Sequence, residues 1–414
     1  MPILSRRARW MLALPAVIIA GATTLAQQAP PQGAQPKPAP PGGGKPPNPA
    51  AFARPPALPF PTAPRTLELT ATAIRVVPVA GELANPWSIA FLPNGDMLVT
   101  ERPGRLRIVR TGKLDPEPIA GVPQVFAVQQ GGLLEVLPHP QFEKNQFLYL
   151  TYSKPGEQPN TATTALARGR FDGKALTDVK DIFVADNMHT GGIHFGSKLA
   201  FSRDGHLFMT IGERNDRHRA QDPTNHGGTV VRLRDDGTAA KDNPFVGKEG
   251  FKPEIYSYGH RNPQGLAFHP ETGALWLNEH GPQGGDELNL VEPGRNYGWP
   301  VVTHGREYAG PLIAETTHKE GMEDPVIIWV PSIGVSGMIF YTGEAFPYWK
   351  GQIFVGGLAG LRLDRIGFSE KGLLGRDTIN LQHRIRDVRQ GPDGFIYLAV
   401  DSNSGGVIRL EPAK

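Results

Sequence analysis

Apolar residues recur along this chain in short alternating runs, each broken by a tight turn and followed by a second apolar run that ends in polar residues. The instances are WSIAFLPNGDMLVTER (87–102), GLLEVLPHPQFEKNQFLYLTYS (132–153), SKLAFSRDGHLFMTIGERND (197–216), GLAFHPETGALWLNEHGP (265–282), SGMIFYTGEAFPYWKGQIFVGG (336–357) and IRDVRQGPDGFIYLAVD (385–401). Asn-Gly and Asp-Gly between alternating runs signal hairpins, because the turns that match strand twist need left-handed backbone there. Six hairpins spaced this widely leave room for two more strands each, which predicts an all-β, six-bladed β-propeller. ELTATAIRVVPVAG (68–81) and GVIRLEP (406–412) are expected to share a blade and close the ring, hiding sheet edges that would otherwise invite aggregation. A β-sandwich or a solenoid is the alternative, and the unequal repeat lengths speak against a stacked rod.

Composition narrows this picture. The 414 residues include fifty glycines and forty-one prolines, suited to many turns, and no cysteine, so neither disulfides nor thiolate metal sites are available. The net charge of +3 is carried by the amino-terminal segment: residues 1–67 hold seven Lys or Arg and no acid. The remainder is mildly acidic, which excludes the clustered positive charge of a nucleic-acid-binding domain.

Arg6, Arg7 and Arg9 precede an apolar run that ends in small residues at Ala26. This predicts a secretory signal over 1–26 and a periplasmic or secreted protein, with an uncleaved anchor as the alternative. Residues 27–65, rich in Pro, Gly and Ala, read as a linker that cannot bury enough surface to fold, leaving 66–414 as the propeller domain.

Polar chemistry concentrates in 255–300, IYSYGHRNPQGLAFHPETGALWLNEHGPQGGDELNLVEPGRNYGWP, where charged and amide side chains sit among glycines and prolines. Such punctuation implies rigid loops carrying a site on a β scaffold. Loops of one propeller face converge on the axis, so residues at strand ends of different blades can meet. His194 and Glu213 flank the third hairpin and meet if the loop before His194 folds over it; a histidine oriented by a carboxylate is a poised general base. Arg384 and Arg386, two apart on a strand, could grip carboxylates together or simply make surface salt bridges. Asp286-Glu287 among glycines suits a calcium loop, though such a pair is also common on a solvated surface.

GHRNPQGLAF, NEHGPQGGDELNL, GRNYGWP, QGGLL, TIGERND and RIRDV, in the chain, together resemble the soluble PQQ-dependent aldose sugar dehydrogenases of the glucose/sorbosone dehydrogenase family, over roughly residues 75–412. The resemblance implies a six-bladed propeller that oxidises the anomeric carbon of an aldose sugar with pyrroloquinoline quinone (PQQ) and calcium, passing electrons to an external acceptor. It implies His194 as the base, Glu213 as its partner, and Arg261 against the quinone oxygens, with Asn262 and Gln130 nearby. By the same resemblance Gly281 and Pro282 give carbonyls to the calcium beside PQQ, and Glu287 and Tyr297 match a second, structural calcium. Arg384 and Arg386 would hold PQQ carboxylates, and Trp329 would lie beside the ring or the sugar. Where well-known members have a lysine contacting PQQ, this chain has Ala359, with Arg362 as a possible substitute. A calcium-dependent propeller lactonase or esterase, and a propeller that only binds a partner, are the other functional classes.

Overall fold

The computed structural model describes residues 56–70, 72–370 and 372–413. The expected signal segment and most of the expected linker lie outside these residues. No helix among the described residues is long and apolar enough to cross a membrane.

Six antiparallel sheets follow one another along the chain, and each predicted hairpin forms the first two strands of one of them. Blade 1 comprises Pro86–Phe91, Met97–Glu101, Arg105–Arg110 and Lys113–Leu114; blade 2 comprises Leu133–Pro138, Phe147–Pro155, Thr161–Phe171 and Leu176–Val184. Blade 3 is Leu199–Phe201, Leu207–Ile211, Thr229–Leu233 and Ile255–Tyr258; blade 4 is Pro263–Phe268, Leu275–Glu279, Asp286–Val291 and Ile327–Trp329. Blade 5 is Val335–Phe340, Ile353–Gly357, Arg362–Ser369 and Gly372–Asn380. Blade 6 joins Ile385–Gln390, Ile396–Val400 and Gly405–Pro412 to Ala73–Leu83 and Arg65–Glu68. The ring therefore closes by the pairing expected, with Val76 opposite Leu410 and Pro78 opposite Ile408. The chain docks on blade 6 ahead of the expected Arg65 boundary: Leu58 N–H donates to Gln382 O at 2.8 Å, and Phe60 packs on the blade's apolar core.

First strands of successive blades face one another around the axis. In blades 1, 2, 4, 5 and 6 the pairing of first with second strand slips by one residue near its start. Such a bulge re-aims a side chain. Trp87 in blade 1, Gln264 in blade 4 and Arg386 in blade 6 are the extra residues, and each turns toward the axis.

Below them, a belt of hydrogen bonds passes from each blade to the next. Thr100 Oγ1 donates to Leu134 O at 2.5 Å, Thr151 Oγ1 to Ser197 O at 2.8 Å, and Thr210 Oγ1 to Pro263 O at 3.2 Å. Asn278 Nδ2 donates to Ser336 O at 2.9 Å and Ser336 Oγ to Ile385 O at 2.6 Å, and Ile89 N–H returns the belt to blade 1 by donating to Asp387 Oδ2 at 2.9 Å. Within this belt Lys198, leading into blade 3, reaches Asp387 in the opposite blade at 2.7 Å and Glu135 in blade 2 at 2.7 Å, while Arg389 pairs with both acids. Buried charges survive only when compensated in this way. Burial opposes ionisation of Asp387, but Arg389 and Lys198 outweigh it and hold the carboxyl below its ordinary value.

Candidate active site

At the end of the ring where the first strands begin, a cavity of about 920 Å³ draws walls from all six blades. Gln130, His194, Arg261, Gly281, Pro282, Arg384 and Arg386 all line it, although 256 positions separate the first from the last. Strand polarity explains the meeting: the residue before a first strand and the residue after a second strand emerge at one end of an antiparallel hairpin.

His194 follows a Gly191-Gly192 pair and adopts left-handed backbone with φ of 56°. Its N–H donates to Gln130 Oε1 at 2.9 Å, and its Nδ1–H donates to Glu213 Oε2 at 2.6 Å. The Glu213 carboxylate also accepts Asn215 N–H at 2.7 Å, and the Glu213 N–H donates to Arg261 O at 3.0 Å. Gly212 is required beside this pair, since a Cβ there would lie 2.3 Å from His194 O. Burial lowers the imidazole's pKa from its ordinary value, more than the Glu213 charge raises it. Burial also opposes ionisation of Glu213, but His194, Arg261 and the Asn215 N–H prevail and keep its pKa low. With Nδ1 on the Glu213 carboxylate, a neutral imidazole would keep its proton on Nδ1 and leave the Nε2 lone pair free, the arrangement a base needs.

Arg261 is held by its N–H, which donates to Glu279 Oε2 at 2.6 Å, and its guanidinium reaches Gly281 O at 3.1 Å while its Nε is buried with no partner. Asp286 shapes the Gly281-Pro282 turn: it accepts Gly281 N–H at 2.9 Å, Gly334 N–H at 2.7 Å and Val335 N–H at 3.1 Å. With the N–H groups taken inward, the turn is left on the cavity wall. Arg386 donates to Gln264 Oε1 at 2.8 Å, and burial pulls its guanidinium down to about 10. Arg384 pairs with Asp401 at 3.1 Å, which is itself held by Asn85 at 3.1 Å.

Other predicted residues stand elsewhere. Glu213 and Asn262 lie behind the wall; Asn262 is fully buried, accepting Gly196 N–H at 3.1 Å and lying 3.2 Å from His280 Nδ1. Glu287 sits opposite Glu279 across two strands, and burial together with the Glu279 charge pushes its carboxyl well up. The Tyr297 phenol is turned away from that pair, donating to Leu290 O at 2.6 Å, with its ring stacked on His260. Trp329 does not line the cavity. It is buried in the outer strand of blade 4, where its indole donates to Asp364 at 2.7 Å and its ring packs under Arg376. Trp87, turned inward by its bulge, is the tryptophan on the cavity wall.

Ala359 does line the cavity, whereas Arg362 donates to Asp364 at 3.2 Å and does not. The extra cations are Arg102 and Arg306. The sequence pattern did not single out these two, nor Trp87 and Tyr308, while Gln264 stood in it only as one polar residue of the 255–300 stretch. Bulge positions carry no periodic signal, and Arg306 and Tyr308 come from a long insertion between the third and fourth strands of blade 4.

The chain matches the glucose/sorbosone dehydrogenase family over residues 83–409. It is 43% identical over 348 residues to aldose sugar dehydrogenase YliI of Escherichia coli, covering 82% of this chain and 93% of that protein. The crystal structure of the soluble aldose sugar dehydrogenase of E. coli in its apo form superposes with a TM-score of 0.79 at 41% identity, covering 82% of this chain and all of that one. A PQQ-bound aldose sugar dehydrogenase from Streptomyces coelicolor superposes with a TM-score of 0.67 at 26% identity, covering 85% of this chain and 99% of the other.

Proposed function

The chain belongs to the glucose/sorbosone dehydrogenase family, and from that premise we propose that it is a PQQ- and calcium-dependent dehydrogenase that oxidises the anomeric carbon of aldoses to lactones. The observation that carries this reading is the meeting, in one cavity, of a histidine with a free Nε2 and five arginines, Arg102, Arg261, Arg306, Arg384 and Arg386.

The residues present fit the cofactor. PQQ is a flat tricarboxylate, and guanidinium groups bind planar carboxylates through paired donors. Arg384 and Arg386 would hold carboxylates, and the orphaned Arg261 Nε is a buried donor suited to a quinone oxygen. Gly281 and Pro282 would offer carbonyl oxygens to a calcium ion, a hard cation that takes such ligands. Glu287, facing Glu279 across two strands with the Asn289 amide beside both, suits a second calcium through its carboxylate. The chemistry such a cofactor supplies is acceptance of a hydride, with calcium as Lewis acid.

The chain's own work is then proton handling and orientation. His194 Nε2 takes the proton of the anomeric hydroxyl as the C1 hydride departs, so that the C1–O bond becomes the lactone carbonyl. Glu213 keeps the proton on Nδ1 and stabilises the imidazolium that forms. Gln130 fixes the backbone of the base, and Arg261 stabilises negative charge that develops at its guanidinium face. A calcium-dependent lactonase would want several carboxylates around an axial metal, whereas Asp286, the carboxylate on this wall, is occupied by three backbone N–H groups. The signal read in residues 1–26 supports a periplasmic or secreted location, and the electrons would pass to an external acceptor.

Reconstitution of the purified chain with PQQ and calcium should give dye reduction with a panel of aldoses. Absence of activity with every aldose overturns the reading. Replacing both Arg384 and Arg386 with alanine should abolish titration by PQQ; an unchanged titration would place the cofactor elsewhere.

A further inference from the structure

Beside Glu213 stands a second charged residue that the proton handling leaves unused. Arg214 is fully buried, adopts left-handed backbone with φ of 60°, and makes no ion pair among the described residues. Burial pulls its guanidinium down to about 10, more than the Glu213 charge raises it. A buried cation without a bonded carboxylate is a costly way to stabilise a fold.

Its donors converge on one stretch of chain. The guanidinium donates through Nη2 to Gly191 O at 2.5 Å and through Nη1 to Ile193 O, and the Arg214 N–H donates to His194 O at 3.3 Å. The cation also lies over the next ring, with Cζ 3.7 Å from the centre of Phe195. The other carbonyls of the stretch are taken from blade 2 and the loop before it, Gly192 O by the Gln130 N–H and Phe195 O by Thr164 Oγ1, each at 2.8 Å. Every carbonyl from Gly191 to Phe195 is thereby bonded, and Arg214 holds the three that surround the base. A loop entered through two glycines has backbone freedom to spare, and a planar fork that spans two carbonyls removes it.

We propose that Arg214 is the positioning residue of the base, its fork pinning Gly191, Ile193 and His194 so that the imidazole stays on the cavity wall. This rests on the dehydrogenase reading above. The parent, Arg214→Lys, Arg214→Met and Phe195→Leu are titrated with PQQ in calcium, and glucose oxidation is measured per bound PQQ. Arg214→Lys keeps the charge without the fork, so kcat should fall roughly ten- to a hundredfold with KM within about twofold of the parent. Its acid limb should stay in place. Arg214→Met should lose kcat to a similar extent and move the acid limb to higher pH. The groups facing His194 are Glu213, Arg214, Arg261 and His280, the last kept neutral by burial, and Arg214 is one of the two cations that disfavour the imidazolium. Phe195→Leu, with charge and fork retained, should cost about threefold in kcat, as loss of one cation–ring contact implies. If glucose is oxidised but Arg214→Lys turns over like the parent per bound PQQ, or the limb of Arg214→Met does not move, this inference is refuted and the dehydrogenase reading stands. Should neither arginine variant fold, Phe195→Leu carries the test, and parental kcat in it is the refuting result. If the parent oxidises no aldose with PQQ and calcium, both readings fall.

Discussion

Blades 3 and 4 each carry a histidine and a glutamate nineteen residues apart, His194 with Glu213 and His260 with Glu279, and in both the Nδ1 side of the imidazole meets the carboxylate, at 2.6 and 2.8 Å. The pairs part at the other ring nitrogen. His260 Nε2 accepts the Ser257 hydroxyl at 2.9 Å, the ring stacks on Tyr297 with centroids 4.5 Å apart, and the residue is fully buried. Among the described residues His194 Nε2 has no such partner, and the residue lines the cavity. One arrangement thus leaves an imidazole facing the cavity in one blade, as the proposed base requires, and a buried brace in the next. The brace is not idle, because Glu279 also accepts the Arg261 N–H and so fixes the arginine beside the base. What separates catalysis from scaffolding here is the fate of a single lone pair.

The sharpest test is removal of each histidine in turn. His194→Ala should lower kcat by about two to four orders of magnitude with PQQ titration nearly intact, as expected for loss of a general base. Near-parental turnover would take the base assignment away from His194. Glu213→Gln should cost less, roughly ten- to a hundredfold, since the base remains but loses the partner that orients it and steadies its charge.

The acid limb of the rate profile carries further information. If His194 is the base, its neutral form is the active one; burial already lowers its pKa, so activity should persist somewhat below the ordinary imidazole value and fail at lower pH. Glu213 raises that pKa; the glutamine variant should therefore move the acid limb to still lower pH, and a limb that moves upward would contradict the pairing. The smallest effect on turnover belongs to His260→Ala. It should leave the chemistry within about tenfold, and lower unfolding free energy in denaturant by about 1–3 kcal/mol as Glu279 and Ser257 lose a buried partner. A His260 variant that is as stable as the parent but as inactive as His194→Ala would erase the distinction between the two pairs.

The fold was legible because hairpin turns and alternating apolar runs are local signals. The ring closure was legible because the orphan strands at 68–81 and 406–412 had no other partner. Much of the site was legible too, since strand ends of a propeller share a face, and His194, Arg261 and Arg386 do meet. What escaped was set by long-range packing. Whether a tryptophan turns to the axis, as Trp87 does, or into a blade interface, as Trp329 does, depends on a bulge and on Asp364, neither visible in the local pattern. Ala359 was seen as a missing cation, but Arg102 is the last residue of the first hairpin run, polar like many strand ends, and Arg306 arrives through an insertion in blade 4 with no periodicity at all.

The Lys198–Asp387 bond joins opposite blades across the axis, with Glu135 and Arg389 bonded into the same cluster. On the proposed reading, sugar and electron acceptor would then share the mouth of the cavity at the end of the ring where the first strands begin. Visitors to a room with one door must take turns. If the oxidised sugar must leave before an acceptor enters, double-reciprocal plots should show parallel lines, and a crowd of sugar at the threshold should slow the acceptor and with it the whole cycle.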